Sequence, residues 1–330
     1  MNYCGIDVGS KELIVRLIRN GRLGKDKTFF NTSEGVNSLI KYISGKNMVR
    51  VCLEATGIYH QDLTIALNNA DNIEVMLVNP NVSRKFSEAL STRNKTDKVD
   101  ATVLAEYACR MEFVPWEAPS DNALKLRMFS RRIVQLTKMK AQSKNQLHAL
   151  SATAMTPEEL ISDCESQIEF YEKNIEKLTK RTVELILSSD ELKQKFELMI
   201  SIKGIAEASA IQILGELVML PNELTKKQWV AYAGLDPRAY ESGTSIKKKT
   251  RISKAGNRFL RQALYLPALS AKQHDPHIKA FFEHLVDDLG KKKIQAVCAV
   301  MRKLLHAIHG MFKNEKPFNG ALFYKMEEVK

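Results

Sequence analysis

No apolar run in this chain approaches the roughly 18 residues that a membrane-crossing helix needs. Its opening residues, MNYCGIDVGS, lack the charged start and apolar centre of a secretory leader. A cytoplasmic protein without a membrane partner is therefore expected. Cysteine is scarce: Cys4, Cys52, Cys109, Cys164 and Cys298 are odd in number, scattered and free of CxxC spacing. That excludes a disulfide framework and a zinc ribbon as organising features and fits thiols kept reduced in a cytosol. Internal repeats and low-complexity tracts are also missing. With 44% hydrophobic residues over 330 positions, the composition is that of globular domains, two or three of them.

Acid is locally missing as well. The chain has a formal charge of +12 and an isoelectric point near 9.3, which points to polyanionic partners. Residues 240–262 hold seven basic side chains (Lys247, Lys248, Lys249, Arg251, Lys254, Arg258 and Arg261) against Glu241 alone. Residues 122–145 hold Lys125, Arg127, Arg131, Arg132, Lys138, Lys140 and Lys144 and no acid. Basic residues scattered along a chain often form only a solvated face, whereas two such concentrated clusters, one of them acid-free, favour nucleic acid.

Residues 1–114 read as α/β. YCGIDVG and ELIVRLI are β-branched runs separated by Gly9-Ser10, and KTFFN is a possible third strand. TSEGVNSLIKYI is a capped helix, VRVCLEA an apolar strand, YHQDLTIALNNA a helix and IEVMLVN another strand. Antiparallel strands followed by alternating helices and parallel strands give the order of a ribonuclease-H-like fold. Pro115 and Pro119 mark a boundary, and the rest is expected to be almost wholly helical. Residues 124–150 form one basic helix. Residues 158–187 carry a heptad seam through Ile161, Cys164, Ile168, Tyr171, Ile175, Leu178, Thr182 and Leu185, suited to an internal hairpin or a dimer contact. A third part, residues 195–330, opens with MISIKGIAEASAIQILGEL, where Gly204 joins two apolar helices in a helix-hairpin-helix pattern able to face a phosphate. A plain helix turn is the simpler reading of Gly204.

Asp7 ends the first strand, Glu54 ends the fourth, and Asp97 and Asp100 lie three residues apart at the start of a helix near Thr96. For either aspartate alone, capping or a favourable contact with the helix dipole would suffice. Four carboxylates converging without partners would repel one another and be costly to desolvate. A pair of Mg²⁺ ions, hard cations that take oxygen ligands, would turn that cost into binding. Two such ions about 4 Å apart can activate a hydroxyl and stabilise the leaving oxygen of a phosphodiester. Arg93, Lys95 and Lys98 would then meet the nucleic-acid backbone. GIDVGS also opens actin-like sugar kinases, but the second glycine-rich phosphate loop those folds need is missing from the sequence.

GIDVGS, LEATGIY, RNKTDKVDA, SIKGI, AGLDPRAYESGTS and RISKAGNRFLRQALY stand in the order and spacing of the DEDD transposases of the insertion-sequence-110 type. That family includes the Piv-type pilin-gene invertases and the RNA-bridged recombinases, and the resemblance covers nearly the whole chain. It implies a RuvC-like (ribonuclease-H-like) catalytic domain at 1–114, a basic helix and coiled-coil oligomerisation segment at 115–194, and a mostly α-helical transposase domain at 195–330. By resemblance, Asp7, Glu54, Asp97 and Asp100 are the acidic tetrad with Mg²⁺, two ions per site, and Ser242 is the nucleophile on a DNA phosphate. No histidine lies near Ser242 in sequence, so its activation would come from metal or from a carboxylate of another domain, as in the family's composite site between protomers. Arg238, Arg251, Lys254, Arg258 and Arg261, with Lys247, Lys248 and Lys249, become phosphate contacts that position DNA without reading it. Family hairpins often read I-P-G-I, where this chain has Lys203. The implied partners are double-stranded DNA at element ends and target, a structured non-coding bridge RNA held along Arg127, Arg131 and Arg132, and further copies of the chain in a dimer or tetramer, in the cytoplasm at the nucleoid. Two other readings remain: a RuvC-like, Mg²⁺-dependent junction nuclease using the tetrad alone, and a non-catalytic scaffold. His274, Asp275, His277 and His284 fit a solvated turn better than a metal site.

Overall fold

A computed structural model describes residues 1–55, 57–91, 96–242 and 246–326, the side chains at 242 and 246–249 excepted. The chain divides into two compact units, Met1–Ala118 and Pro119–Lys330.

The first unit is a mixed sheet with helices on both faces. Strand β1 (Asn2–Val8) pairs antiparallel with β2 (Glu12–Arg19), whose far edge carries β3 (Arg22–Leu23) and β4 (Lys27–Phe30). After helix α1 (Ser33–Ile43), strand β5 (Val49–Glu54) joins β1 in parallel; after α2 (Gln61–Asn68), β6 (Ile73–Val78) joins β5 in parallel. Helices α3 (Pro80–Ala89) and α4 (Asp97–Arg110) follow. Strand alternation sorts the side chains into two layers. Cys4, Ile6, Val51 and Leu53 join Leu39, Ile43, Leu63 and Leu67 of α1 and α2 in one core. On the opposite face Cys52, Met76 and Val78 meet Leu104 and Ala108 of α4. The expected strand and helix order of this region is observed, KTFFN forming β4, with the two-residue β3 as an addition.

The position of α4 depends on Gly5. A Cβ there would lie 2.0 Å from the Ala101 carbonyl oxygen and 2.3 Å from the Ala105 nitrogen. Only glycine lets the helix backbone come this near to β1. Tyr3, closer to the start of β1, packs in the cluster of Leu104 and Ala108, so α4 runs against the direction of β1.

The second unit is helical except for one hairpin. Helices α5 (Asp121–Leu150) and α6 (Glu158–Leu187) fold back on each other, with Ser143 donating to Gln167 at 3.1 Å in a polar layer. The heptad seam of α6 is therefore occupied within the chain, with Cys164 and Thr182 buried along it. Helices α7 (Asp190–Ile200), α8 (Glu207–Leu217) and α9 (Lys226–Tyr232) precede a two-stranded sheet of β7 (Pro237–Ser242) and β8 (Ile246–Ile252). Helices α10 (Arg258–His274), α11 (Pro276–Glu283), α12 (Lys293–Asn314) and α13 (Gly320–Phe323) complete it, with a single π-helical turn at His284–Asp288.

Two features depart from expectation. Residues 115–194 are not a segment apart: Leu126, Ile133 and Ile186 are buried in the same core as Leu214, Leu264 and Leu304, because α5 lies on α8. The almost wholly helical region is interrupted by the β7–β8 hairpin, since the basic run IKKKTRI of β8 lacks the apolar alternation that usually betrays a strand.

Replacing Gly5 by alanine should push α4 from the sheet and destabilise the first unit by at least about 1–3 kcal/mol. A urea unfolding midpoint unchanged from that of the parent protein would refute this packing argument.

Candidate functional site

The parallel register of β1 and β5 pairs Gly5 with Cys52 and Ile6 with Leu53, so the next row sets Asp7 beside Glu54. Both belong to the strand positions that share the α4 face with Gly5 and Cys52. Because α4 runs against β1, its first turn arrives at this same end of the sheet. Asp97 continues the sheet-facing stripe of Ala101, Leu104 and Ala108 past the strand ends, and Asp100 is half-buried next to Ala101. Asp7, Glu54 and Asp100, all half-buried, and the exposed Asp97 thus lie toward one end of the first unit. Among the described residues, no three His, Cys, Asp or Glu side chains already form a metal-holding group. Carboxylate oxygens are the hard ligands that a cation such as Mg²⁺ takes.

The local chemistry separates these carboxylates from capping duty. Thr96, not Asp97, is the N-cap of α4, its hydroxyl accepting from the Val99 N–H at 3.3 Å. Ser83, buried on α3, donates to Glu54 Oε2 at 2.6 Å and so orients that carboxylate from behind. Sequence reasoning missed Ser83, whose only signal is the Asn79-Pro80 helix start that follows β6. Burial, then the negative charge of Glu54, pushes the Cys52 thiol up to about 12, so it sits beneath the site as a neutral packing group. Arg93 and Lys95 lie outside the described residues. Lys98 is turned to Asp26, 2.9 Å away, and its hydrogen bond is the main cause that holds the Asp26 carboxyl below the usual range.

In the second unit, Ser242 ends β7 with its Cα opposite Ile246, while Glu241 stands opposite Lys247 and Tyr240 opposite Lys248. The side chains of Ser242, Lys247, Lys248 and Lys249 are outside the described residues. Arg238 and Arg251 face each other across the ladder and are both exposed. Two like charges in that position repel, and an anion between them would relieve it. The root of the hairpin is tied down by Ser253, whose backbone and hydroxyl donate to Asp236, and by Lys254 N–H to the Gly234 carbonyl. Lys254 and Arg258 are exposed, whereas Arg261 directs one guanidinium nitrogen to the Ala233 carbonyl at 2.8 Å and to Gly256 at 3.3 Å.

Behind the hairpin lies a buried polar network. Glu216 on α8 takes two hydrogen bonds from Arg131, at 2.7 and 2.9 Å, and one from Asn257 at 2.6 Å. Asn257 also donates to the Tyr232 hydroxyl at 2.9 Å and caps α10 by accepting from Phe259 and Leu260. Arg127 stands 3.9 Å from Glu216; burial, and then the neighbouring Arg131 charge, lowers its pKa. Burial likewise raises the Tyr232 phenol. The expectation of one RNA face along Arg127, Arg131 and Arg132 is corrected accordingly. The first two turn inward to Glu216, and Arg132 alone is exposed. Gly204 is likewise a packing residue: its φ is +105°, and a Cβ would lie 2.4 Å from the Ala271 nitrogen of α10. Asp275 is buried and caps α11, which corrects the solvated turn expected there.

Residues 4–154 match a family described as Transposase, of the DEDD, IS110 type, and residues 197–283 match the Transposase IS116/IS110/IS902 family. The chain belongs to this transposase family. It is similar to the pilin gene-inverting proteins of Moraxella bovis and Moraxella lacunata, each 28% identical over 323 residues, covering 96% of this chain and 97% of each relative. The first match holds all four carboxylates; the second holds Gly204, Glu216, the hairpin and the start of α10.

In this transposase the Glu216 network went unseen in sequence because its members come from four distant elements. A lone Glu in the apolar run AIQILGEL was the one available sign. Changing Arg131 to alanine leaves Glu216 buried with fewer donors and should cost roughly 3–5 kcal/mol of stability. Changing Arg132 should cost less than about 0.5 kcal/mol. Equal unfolding midpoints for the two variants would contradict the assignment.

Proposed function

We propose that this transposase is a site-specific recombinase that breaks and rejoins DNA strands, using the carboxylates of its ribonuclease-H-like first unit and Ser242 of its second. The observation that supports the reading is the β1–β5 register, which leads Asp7 and Glu54 to the sheet end toward which α4 begins with Asp97 and Asp100. Mg²⁺ bound there would supply Lewis-acid activation of a hydroxyl and charge stabilisation at the phosphodiester. Asp7, Glu54, Asp97 and Asp100 would hold the metal, and the Ser83 hydroxyl keeps the Glu54 carboxylate aimed. Ser242 Oγ forms a bond to phosphorus as the bond from phosphorus to one DNA strand oxygen breaks. The serine proton is given up, the released strand takes a proton as a free hydroxyl, and the serine ester conserves the phosphodiester for rejoining. Arg238, Arg251, Lys254 and Arg258 line the exposed surface around the hairpin and suit backbone phosphates.

The similarity to pilin gene-inverting proteins supports recombination between defined sites. A structured non-coding RNA that pairs with the target fits the charge left exposed on α5 at Arg132 and Lys138. Work as a dimer or tetramer in the cytoplasm, at the nucleoid, belongs to the same reading. A junction nuclease is the second reading, favoured by the completeness of the carboxylate end within one unit.

The test is a strand-transfer assay on element-end DNA, read together with denaturing gels for protein–DNA adducts. Ser242→Ala should abolish both the adduct and rejoining, and Glu54→Gln should abolish Mg²⁺-dependent cleavage. Undiminished cleavage by Ser242→Ala without any adduct in the parent protein would establish the nuclease instead. Full activity of Glu54→Gln would remove the metal role.

A further inference from the structure

A groove of about 530 Å³ opens in the second unit between α5 and α10, floored in part by α8. Lys138 lines it from α5, and Arg258 and Arg261 line it from α10. Gln212 and Gln262 supply amides, Tyr265 is 39% exposed, and none of the described lining residues is acidic. The two basic stretches of the sequence therefore meet as opposite walls of one feature. Arg261 is held at its place by the Ala233 carbonyl, and the Arg258 guanidinium lies 5.1 Å from the Phe259 ring centre. Both cations are thus set before any ligand arrives, which lowers the ordering cost of binding.

We infer that this groove binds one unpaired nucleotide of a nucleic-acid strand, with its phosphate on Lys138, Arg258 and Arg261 and its base stacked on Tyr265. The volume is of the size that takes a small molecule or single nucleotide and is too small for a duplex. Phosphates of a duplex would need the cations alone. An exposed tyrosine between cations and amides is the combination that single strands require, because every base has a face to stack and an edge to hydrogen-bond. Gln212 and Gln262 present donors and acceptors suited to that edge. The inference rests on the reading of the protein as one that processes nucleic acid, and it names a strand-holding site separate from the carboxylates and Ser242. Guide RNA and strand-separated DNA share this chemistry.

The experiment measures binding of the full chain to labelled single-stranded RNA, single-stranded DNA of the same sequence, and duplex DNA, all at one ionic strength. Tyr265→Ala should bind single strands roughly five- to a hundred-fold more weakly, the range expected for one lost base stack. Tyr265→Phe, which keeps the ring, should match the parent protein, and neither change should alter duplex binding or the melting temperature. Loss confined to RNA assigns the strand to RNA, loss confined to DNA assigns it to DNA, and loss on both assigns a stack indifferent to the sugar. Unchanged single-strand binding by Tyr265→Ala overturns the proposal, as does a parallel fall in single-strand and duplex binding. A parent protein that binds duplex and transfers strands but ignores single strands removes the groove alone. One that neither binds duplex nor transfers strands removes the functional reading with it.

Discussion

A helix backbone lies against a strand backbone at Gly5, and the acidic end of the first unit follows from that contact. With any side chain at this position, Ala101 and Ala105 would be pushed away. The first turn of α4 would then shift from the strand ends where Asp7 and Glu54 stand. The hydrophobic layer of Cys52, Met76, Leu104 and Ala108 supplies the attraction that holds the helix down, and glycine removes the obstacle. Carboxylates from three separate elements are in this way brought toward one end of the sheet.

The second unit solves a different problem, the fixing of a basic surface that would otherwise repel itself. Glu216 is its counterweight. By accepting from Arg131 and Asn257 at once, it joins α5, α8 and the N-terminus of α10. Asn257 then turns that anchor into the start of the helix that presents Arg258 and Arg261. Arg131, bonded to Glu216, gives rigidity, while the adjacent Arg132 and the start of α10 at Arg258 remain exposed. Lys140 and Lys144 are likewise drawn to Glu172 on α6, at 3.6 and 3.2 Å. The chain's surplus of +12 is therefore concentrated on fewer exposed positions than the count of basic residues suggests.

The two transposase matches divide the chain in keeping with this chemistry. Carboxylates belong to the first, and the strand hairpin with Ser242 and the α10 cations belong to the second. Each unit has its own core, so the scaffold of each set of groups is maintained independently of the other.

What the sequence determined by itself was local and periodic. Short β-branched and apolar runs located most of the strands from Asn2 to Val78, Thr32 announced the cap of α1, and the ends of β1 and β5 singled out Asp7 and Glu54. Those signals are written in neighbouring residues, where spacing and capping chemistry act directly. The tertiary structure alone decided which charges remain outside. Arg131 and Arg132 are adjacent in sequence and opposite in role because α8 brings Glu216 to one face of α5 and leaves the other to water. Gly204 and Ser83 were decided in the same manner, one by the backbone of α10 and the other by the carboxylate of Glu54. Burial and long-range pairing depend on what comes to lie across from a residue, and no local spacing records that.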